Sequence, residues 1–221
     1  VAATEAISYD FLAKGGKHSR PFITLAVHDA LTGAAGTLRN GGQHLDNLQD
    51  GVRAIALSIE TFHKASLVHD DIEDGDEQRY GSPALHAEVG VPVALNVGDF
   101  LVGEGYRLLG DLNNTDMITV AAQGHVTLSR GQGRELLWAR NPEPLPSVEV
   151  LDIFRQKTSA AFEVALRLGA ILGQADPQTH DVLCKYSDSL GIAYQIKDDL
   201  EDFRGEADSN DLAQVRLSLI L

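Results

Sequence analysis

Hydrophobic residues recur at spacings of three and four along most of this chain, which is the pattern of amphipathic α-helices. Alternating apolar and polar positions, which would indicate β-strands, are hard to find. The pattern therefore predicts an all-α protein. The predicted helices cover Ala3 to Ala13, Pro21 to Thr32, His44 to Asp74, Pro92 to Leu112, Asp116 to Ala139, Val148 to Leu172 and Thr179 to Phe203.

Clusters of glycine and proline separate these helices, as at Gly15-Gly16, Gly33 to Gly42 and Gly81 to Pro83. Several predicted helices are longer than about 20 residues, whereas an ordinary globular helix has about 11 or 12. Helices of that length favour a bundle of long, mostly antiparallel helices, and we expect a single domain over residues 1–221. Both ends of the chain lie inside predicted structure, at Val1 and Leu221, so we expect the termini to be incomplete.

Charge and composition exclude several classes of function. The chain has 32 acidic and 18 basic side chains and a formal net charge of -14, which argues against nucleic acid as a partner. No apolar run approaches the roughly 20 residues of a transmembrane helix, and no signal-peptide pattern opens the chain. A single cysteine, Cys184, fits a reducing compartment. We therefore expect a cytoplasmic protein without a transmembrane segment.

The predicted third helix ends in a cluster of acids within the stretch LVHDDIED. Asp70 and Asp74 are four residues apart and lie on one helix face, with Asp71 beside them at the rim. These like charges repel one another, and a helix C-terminus disfavours anions further. The cluster is either a solvated surface or a site for a hard divalent cation such as magnesium, which carboxylate oxygens suit.

A second cluster with the same Asp-Asp-x-x-Asp spacing lies near the other end of the chain. Asp198, Asp199 and Asp202 again follow an apolar stretch. The repeat makes a chance surface cluster a weaker explanation. We interpret the two acid triads as two walls of one metal site.

Two basic features precede the first triad. The run GGKHSRP places Lys17 and Arg20 at the start of a helix, which suits anion binding, although an ordinary surface turn explains the run equally well. His63 lies two helical turns before Asp70, roughly 10 Å along the helix axis. Without the triads it would be an ordinary core or surface histidine.

Two further features follow the first triad. Arg79 lies close enough after it for its guanidinium to pair with phosphate oxygens beside a metal. Lys157 and Thr158 lie in a helix segment of small residues. Each is ordinary by itself, and the set as a whole is what suggests a site.

With these motifs in this order, the chain resembles the trans-isoprenyl diphosphate synthases, or polyprenyl synthetases, of the geranylgeranyl or longer-chain type. The matching features are GGKHSRP, His63 ahead of LVHDDIED, Asn96 to Asp99, Gly131-Gln132, Lys157-Thr158 and Gln195 to Asp202. The resemblance implies the isoprenoid synthase fold, with helices around a central cavity, and a homodimer.

The resemblance also implies a reaction, the head-to-tail transfer of an allylic prenyl group to isopentenyl diphosphate. It implies three magnesium ions that grip the allylic diphosphate and are held by Asp70, Asp71, Asp74, Asp198, Asp199 and Asp202. By the same resemblance, Arg79, Lys157 and Lys197 would neutralise the diphosphate oxygens. The metal ions would make pyrophosphate a leaving group.

The remaining roles implied by the resemblance concern the second substrate and the cation. Thr158 and Gln195 would steady the allylic cation with neutral dipoles. Lys17, Arg20 and His63 would bind the diphosphate of isopentenyl diphosphate. A proton is then lost, with pyrophosphate as the acceptor, so that no protein nucleophile is needed.

Product length should depend on what lies before the first triad. In relatives with short products, bulky side chains stand four or five residues before the first aspartate, where this chain has Ser66 and Ala65. Phe62, one turn deeper, is the next possible floor. We therefore expect an open tunnel at Ala65 and Ser66 and a product of about twenty carbons or longer.

The chain departs from the family pattern in three places, and at one of them His18 stands where a basic residue is common. Tyr80 stands where relatives often have a second arginine, which affects one contact to isopentenyl diphosphate. No lysine follows Lys197, and residues 210–216 resemble a degenerate form of the usual glycine- and lysine-containing loop.

Two other functions stay open at this point. A class I terpene cyclase would share the helical fold and the first acid motif, but it normally has a different second metal motif. A non-catalytic helical partner subunit would be expected to have broken metal motifs, whereas both are whole here.

Overall fold

The computed structural model describes residues 3–33, 50–141 and 143–203. Over these ranges it forms nine α-helices, one short hairpin and one π-helical turn, which confirms the all-α prediction. The elements are α1 (Ala3–Ala13), α2 (Ser19–Thr32), α3 (Asp50–Asp74), β1 (Gln78–Arg79), β2 (Ser82–Pro83), α4 (Leu85–Val89), α5 (Val91–Gly110), α6 (Thr115–Arg140), α7 (Ser147–Phe154), the π turn (Arg155–Ser159), α8 (Ala160–Leu172) and α9 (Pro177–Phe203). None of the helices in these ranges is long and apolar enough to cross a membrane.

The ends of α1, α2, α5, α6 and α9 agree with the predicted helices to within two residues. The prediction that α3 begins at His44 and most of the glycine cluster Gly33 to Gly42 fall outside the described residues. The predicted helix Val148 to Leu172 is interrupted by the π turn, so α7 and α8 are separate elements. The hairpin and α4 were not predicted, because elements of two to five residues are too short to show a period.

Contacts within the chain divide it into two compact units. The first consists of the described residues of Val1–Thr119 and Leu168–Ala175, and the second consists of those of Val120–Arg167 and Asp176–Leu221. Hence α1 to α5 belong to the first unit, and α7, the π turn and α9 belong to the second. The expectation of a single domain stays a prediction.

In the first unit, α5 packs closely along α3 because two glycines of α5 leave room for large side chains. A Cβ atom on Gly105 would lie 2.6 Å from the Phe62 ring, and one on Gly98 would collide with the His69 ring. Burial of apolar side chains holds these helices to α1, at about 1.5–3 kcal/mol for each large side chain. The core cluster consists of Phe11, Ala65, Val68, Leu85, Ala94, Val97 and Leu101.

In the second unit, α9 packs against the π turn and α7. The apolar face of α7 is buried through Val150, Ile153 and Phe154. A glycine again permits two helices to approach closely, here α6 and α8, since a Cβ atom on Gly124 of α6 would collide with Val164 of α8.

Candidate active site

The last turn of α3 carries the first acid triad. Asp70 and Asp74 are half-buried, whereas Asp71 is only 1% exposed. The prediction that Asp71 lies at the rim is therefore wrong. The reason is the hairpin after α3, which brings Arg79 of β1 onto the Asp71 carboxylate.

The ion pair between Arg79 and Asp71 supplies part of the positive charge that the first triad needs. Arg79 Nε donates to Asp71 Oδ1 at 2.8 Å, Nη2 donates to the same oxygen, and Nη2 also lies 3.6 Å from Asp76 Oδ2. Burial raises the pKa of Asp71 above its ordinary value, although the hydrogen bond and charge of Arg79 act in the opposite direction. The predicted role of Arg79 in binding phosphate stays a prediction, and in this structure these two nitrogens contact carboxylate.

The donors of the first triad fit a hard divalent cation. Its acids offer carboxylate oxygens, and Asp71 Oδ2 is buried without a hydrogen-bond partner, a position that a cation would complement. In the part of the chain that the structure describes, no three His, Cys, Asp or Glu side chains are grouped closely enough to hold a metal ion. The carboxylate oxygens of the triad suit Mg²⁺, which usually takes one or two carboxylates and completes its shell with water and phosphate oxygens.

The basic group at the start of α2 reaches α3 through Arg20. Arg20 Nη1 lies 3.2 Å from His63 Nε2 and 3.3 Å from His63 Nδ1, whereas Lys17 is exposed. Burial, and then the charge of Arg20, lower the pKa of His63 to about 3. His63 is therefore neutral near pH 7, and the cations of this group are Lys17 and Arg20.

The second acid triad lies on α9. Asp198 and Asp199 are half-buried and Lys197 is exposed. Asp202 belongs to α9, but its side chain lies outside the described part of the chain. Their predicted roles toward metal and diphosphate stay predictions.

A chain of two hydrogen bonds connects the π turn to the second triad. Thr158 Oγ1 donates to Gln195 Oε1 at 3.0 Å, and Gln195 Nε2 donates to Asp199 Oδ1 at 3.2 Å. Both ends of the Gln195 amide are therefore used, which fixes its orientation. This arrangement places the neutral amide of Gln195 beside Asp199 and the hydroxyl of Thr158 beside that amide.

The π turn itself positions Lys157 and Thr158. A Cβ atom on Gly131 of α6 would lie 2.5 Å from the Lys157 backbone nitrogen, and one on Gly191 of α9 would collide with Ser159. The turn is thus held between two helices at glycines, and such π segments are frequent at functional sites. The Lys157 ammonium pairs with Glu135 of α6.

The π turn and Gly191 were not predicted from the sequence, and Gly131 was given no role. Glycines inside otherwise helical patterns are the signal that could have revealed both contacts, because they often mark close packing. Lys64, a lysine in the apolar part of α3 that is 0% exposed, was also not predicted from the sequence to have a role.

The residues predicted to set product length lie in different surroundings. The Phe62 ring packs edge-on against Tyr106, with ring centroids 4.8 Å apart. Ala65 is 1% exposed within the core cluster of the first unit, so a larger side chain would meet other core residues. Ser66 is exposed and donates to the His63 carbonyl oxygen at 2.9 Å. The tunnel at Ala65 and Ser66 stays a prediction.

Curated proteins similar to this chain include several synthases of prenyl diphosphates. The chain is 32% identical over 203 residues to geranylfarnesyl diphosphate synthase of Aeropyrum pernix, which covers 87% of this chain and 59% of that protein. It is 31% identical over 209 residues to all-trans-nonaprenyl-diphosphate synthase (geranyl-diphosphate specific) of Rhodobacter capsulatus, which covers 95% of this chain and 60% of that protein. The chain thus spans about 60% of the length of these relatives.

Solved structures show the same fold. Geranyltranstransferase from Thermotoga maritima is 25% identical, with a TM-score of 0.79 over 93% of this chain and 72% of that chain. Polyprenyl synthase from Caulobacter crescentus, solved in complex with calcium and isoprenyl diphosphate, is 28% identical, with a TM-score of 0.79 over 92% of this chain and 57% of that chain. An isoprenoid synthase family member from Thermotoga neapolitana is 24% identical, with a TM-score of 0.82 over 99% of this chain and 76% of that chain.

The sequence profile of the polyprenyl synthetase family matches residues 2–215, which is nearly the whole chain. The matched range includes both acid triads, the GGKHSRP run and the π turn. This chain therefore belongs to the polyprenyl synthetase family.

Proposed function

We propose that this protein is a trans-isoprenyl diphosphate synthase. It would join isopentenyl diphosphate head-to-tail to an allylic prenyl diphosphate and make a product of about twenty carbons or longer. Its relatives include synthases of geranylgeranyl and geranylfarnesyl diphosphate, which supports products in this range.

The observation that carries this proposal is that α3 carries two chemically different groups of side chains. Asp70 and Asp74 suit a diphosphate that arrives with divalent cations. His63, two turns earlier on the same helix, contacts the guanidinium of Arg20, which suits a diphosphate without a metal. Two such groups roughly 10 Å apart along one helix support a reaction between two diphosphate substrates.

The allylic diphosphate would bind at the acid triads. Mg²⁺ held there by Asp70, Asp71, Asp74, Asp198, Asp199 and Asp202 would supply Lewis acidity toward the departing diphosphate. Arg79, Lys157 and Lys197 would neutralise the remaining charge on the diphosphate oxygens. The ion pairs of Arg79 with Asp71 and of Lys157 with Glu135 keep these cations in place until the anion binds.

The hydrogen-bonded pair of Thr158 and Gln195 would face the developing allylic cation with neutral oxygen dipoles. The carbon–oxygen bond of the allylic diphosphate breaks and diphosphate leaves with the electron pair. Lys17, Arg20 and His63 hold the diphosphate group of isopentenyl diphosphate. The electron pair of its double bond then forms the new carbon–carbon bond. A proton is lost from its C2 carbon to the departing diphosphate.

An elongation assay tests the proposal. The protein is incubated with Mg²⁺, isopentenyl diphosphate and allylic diphosphates of different lengths, and the products are separated by chain length. Linear diphosphates longer than the primer would support the synthase. A cyclised hydrocarbon would instead identify a terpene cyclase, and no turnover with any primer would favour the non-catalytic partner subunit.

The product-length proposal has its own test at Phe62. Replacing Phe62→Ala should lengthen the product, because it removes the ring that packs against Tyr106. Phe100→Ala is the matched control, since the Phe100 ring packs against Tyr9 of α1 instead. Equal product lengths in the two variants would contradict a role of Phe62 as the floor.

The homodimer stays a prediction, which light scattering of the purified protein checks.

A further inference from the structure

Lys64 follows His63 in α3 and is 0% exposed. A buried ammonium group is costly unless hydrogen-bond acceptors surround it. Lys64 Nζ donates to the carbonyl oxygens of Lys14 and Gly15, at 2.5 Å each, and to Tyr80 Oη at 3.3 Å. Three separate parts of the sequence thus meet at this one nitrogen atom.

Aromatic rings and an acid complete the surroundings of the Lys64 ammonium. Nζ lies 4.4 Å from the centroid of the Tyr80 ring and 5.6 Å from that of the Phe11 ring, within the range of cation–π attraction. Glu60, one helical turn before Lys64, is 7% exposed. Burial lowers the pKa of Lys64, and the charge of Glu60 opposes this effect.

Residues 14–18, called here the glycine turn, are held against α3 by the same side chains. Gly16 and His18 have φ angles of 150° and 47°, so both lie outside the usual backbone regions of L-residues. A Cβ atom on Gly16 would lie 3.4 Å from Tyr80 Oη and 3.8 Å from Lys64 Nζ. His18 Nδ1 lies 3.2 Å from Glu60 Oε1.

Tyr80 holds an unfavourable backbone conformation where it meets Lys64. It is the first residue of the two-residue loop between β1 and β2, with φ of 55°, and Gly81 follows with φ of 73°. Asparagine or glycine is preferred at such a position, because a bulky side chain is strained there. A tyrosine that persists in this conformation indicates that its ring and hydroxyl have a use.

We propose that Lys64 and Tyr80 are positioning residues that hold the glycine turn in place and thereby set where Lys17 and Arg20 meet the diphosphate of isopentenyl diphosphate. This inference rests on the proposed function. Lys64 is completely buried and therefore acts through the turn rather than on the substrate.

The connections of Lys64 explain why the effect should reach the substrate site. The glycine turn contains Lys17 and leads directly into α2, whose Arg20 contacts His63, the residue next to Lys64. If the turn moved away from α3, both cations would lose their fixed distance from His63. Affinity for isopentenyl diphosphate should then fall more than the rate of the chemical step.

Lys64→Met is the decisive variant. It keeps an apolar stem of similar length and removes the ammonium that binds the two carbonyl oxygens. We expect the KM for isopentenyl diphosphate to rise about tenfold, while kcat and the KM for the allylic diphosphate stay within about twofold. Lys64→Arg should restore part of the lost affinity, because a guanidinium can still donate to these carbonyl groups.

Lys14→Met is the matched control on the same turn. The Lys14 ammonium is partly exposed and pairs with Glu88 at 3.6 Å, while only its backbone carbonyl contacts Lys64. Its KM for isopentenyl diphosphate should stay within about twofold of the wild-type value.

Tyr80→Phe keeps the ring and removes the hydroxyl, so its KM for isopentenyl diphosphate should rise by about threefold.

The outcomes separate this inference from the proposed function. A folded Lys64→Met protein with an unchanged KM for isopentenyl diphosphate, or with kcat and both KM values altered alike, overturns the inference. If Lys64→Met does not fold, Tyr80→Phe decides by the same KM. If the wild-type protein elongates no primer, the proposed function fails. Hydrogen exchange at residues 15–19 then tests whether Lys64 holds the glycine turn in place. Faster exchange in Lys64→Met than in Lys14→Met supports the positioning role, and equal exchange overturns it.

Discussion

The two acid triads have the same spacing but different surroundings. In the first, Asp71 is buried and paired with the guanidinium of Arg79. In the second, the equivalent Asp199 is half-buried and accepts a hydrogen bond from the neutral amide of Gln195, which itself accepts one from Thr158. Asp71 thus has a guanidinium as a hydrogen-bond partner, whereas Asp199 accepts a hydrogen bond from a neutral amide. The motif determines which ligands are present, and the surroundings determine the electrostatics.

The largest effect is expected when one carboxylate of either triad is replaced, and it tests whether the two triads are equivalent in catalysis. Asp70→Asn and Asp198→Asn should each lower kcat/KM about a thousandfold at saturating Mg²⁺, because each removes a carboxylate proposed to hold the metal. Glu73→Gln is the control, since Glu73 is an exposed acid on the same turn of α3 but outside the triad. Steady-state elongation kinetics measure all three variants. A large loss of kcat/KM in only one of the two aspartate variants would show that the triads are not equivalent in catalysis.

The next effect concerns the π turn beside the second triad. Gly131→Ala should lower the free energy of unfolding by about 2 kcal/mol, because its Cβ atom would lie 2.5 Å from the Lys157 backbone nitrogen. It should also lower kcat by displacing Lys157. Gly133→Ala on the same helix is the matched control, since no atom lies within 4 Å of its Cβ position. It should be neutral or stabilising by up to about 1 kcal/mol. Urea unfolding that shows equal effects of the two substitutions would contradict the packing argument.

A pH-dependent effect is expected near the first triad. The pKa of His63 is about 3 in the folded protein and about 6.5 when unfolded, so between these values only the unfolded state gains a proton. Protonation of His63 in the unfolded state therefore does not reduce the free energy of unfolding above about pH 6.5, and it reduces this free energy progressively as the pH falls below that value. From pH 6.5 to 5, the wild-type protein should lose about 1–2 kcal/mol relative to His63→Gln. Urea unfolding at both pH values measures this difference, and a difference that does not change with pH would count against the buried, neutral His63.

The smallest effect compares the middle acids directly. Asp71→Asn should cost about 1 kcal/mol of unfolding free energy at pH 7, because the ion pair with Arg79 becomes a hydrogen bond from the guanidinium to a neutral amide oxygen, and relief from burying the carboxylate charge offsets part of the loss. Asp199→Asn should cost less than about 0.5 kcal/mol, since its remaining oxygen still accepts from Gln195. Thermal or urea unfolding provides both values. The reverse order would show that the second triad holds the more strongly paired acid.

Much of the fold follows from hydrophobic periodicity. Five helices match the predicted ones to within two residues, because apolar faces three and four residues apart can be buried only in a helix. The hairpin at Gln78–Arg79 and Ser82–Pro83 and the π turn at Arg155–Ser159 do not follow from it. Neither has a period of its own, and the π turn depends on the close approach of Gly131 and Gly191 from other helices.

The candidate site could be predicted as a set of residues but not as a set of interactions. The acid triads, Lys17, Arg20, His63 and Lys157 were identified from residue type and spacing, and Gln195 was identified from the family resemblance. The contact between Arg20 and His63 joins residues 43 positions apart, and that between Thr158 and Gln195 joins residues 37 positions apart. No local pattern specifies such partners.

The sequence by itself determined the helical class, the family resemblance and the chemical identity of the groups at the site. These depend on side-chain type and on local spacing, which the chain carries in its order of residues. Only the tertiary structure decided that Asp71 is buried against Arg79, that His63 is neutral and that Lys64 lies beneath the glycine turn. Each of these results depends on desolvation and on partners brought together by folding, as with Lys64 and Gly15, which are 49 residues apart.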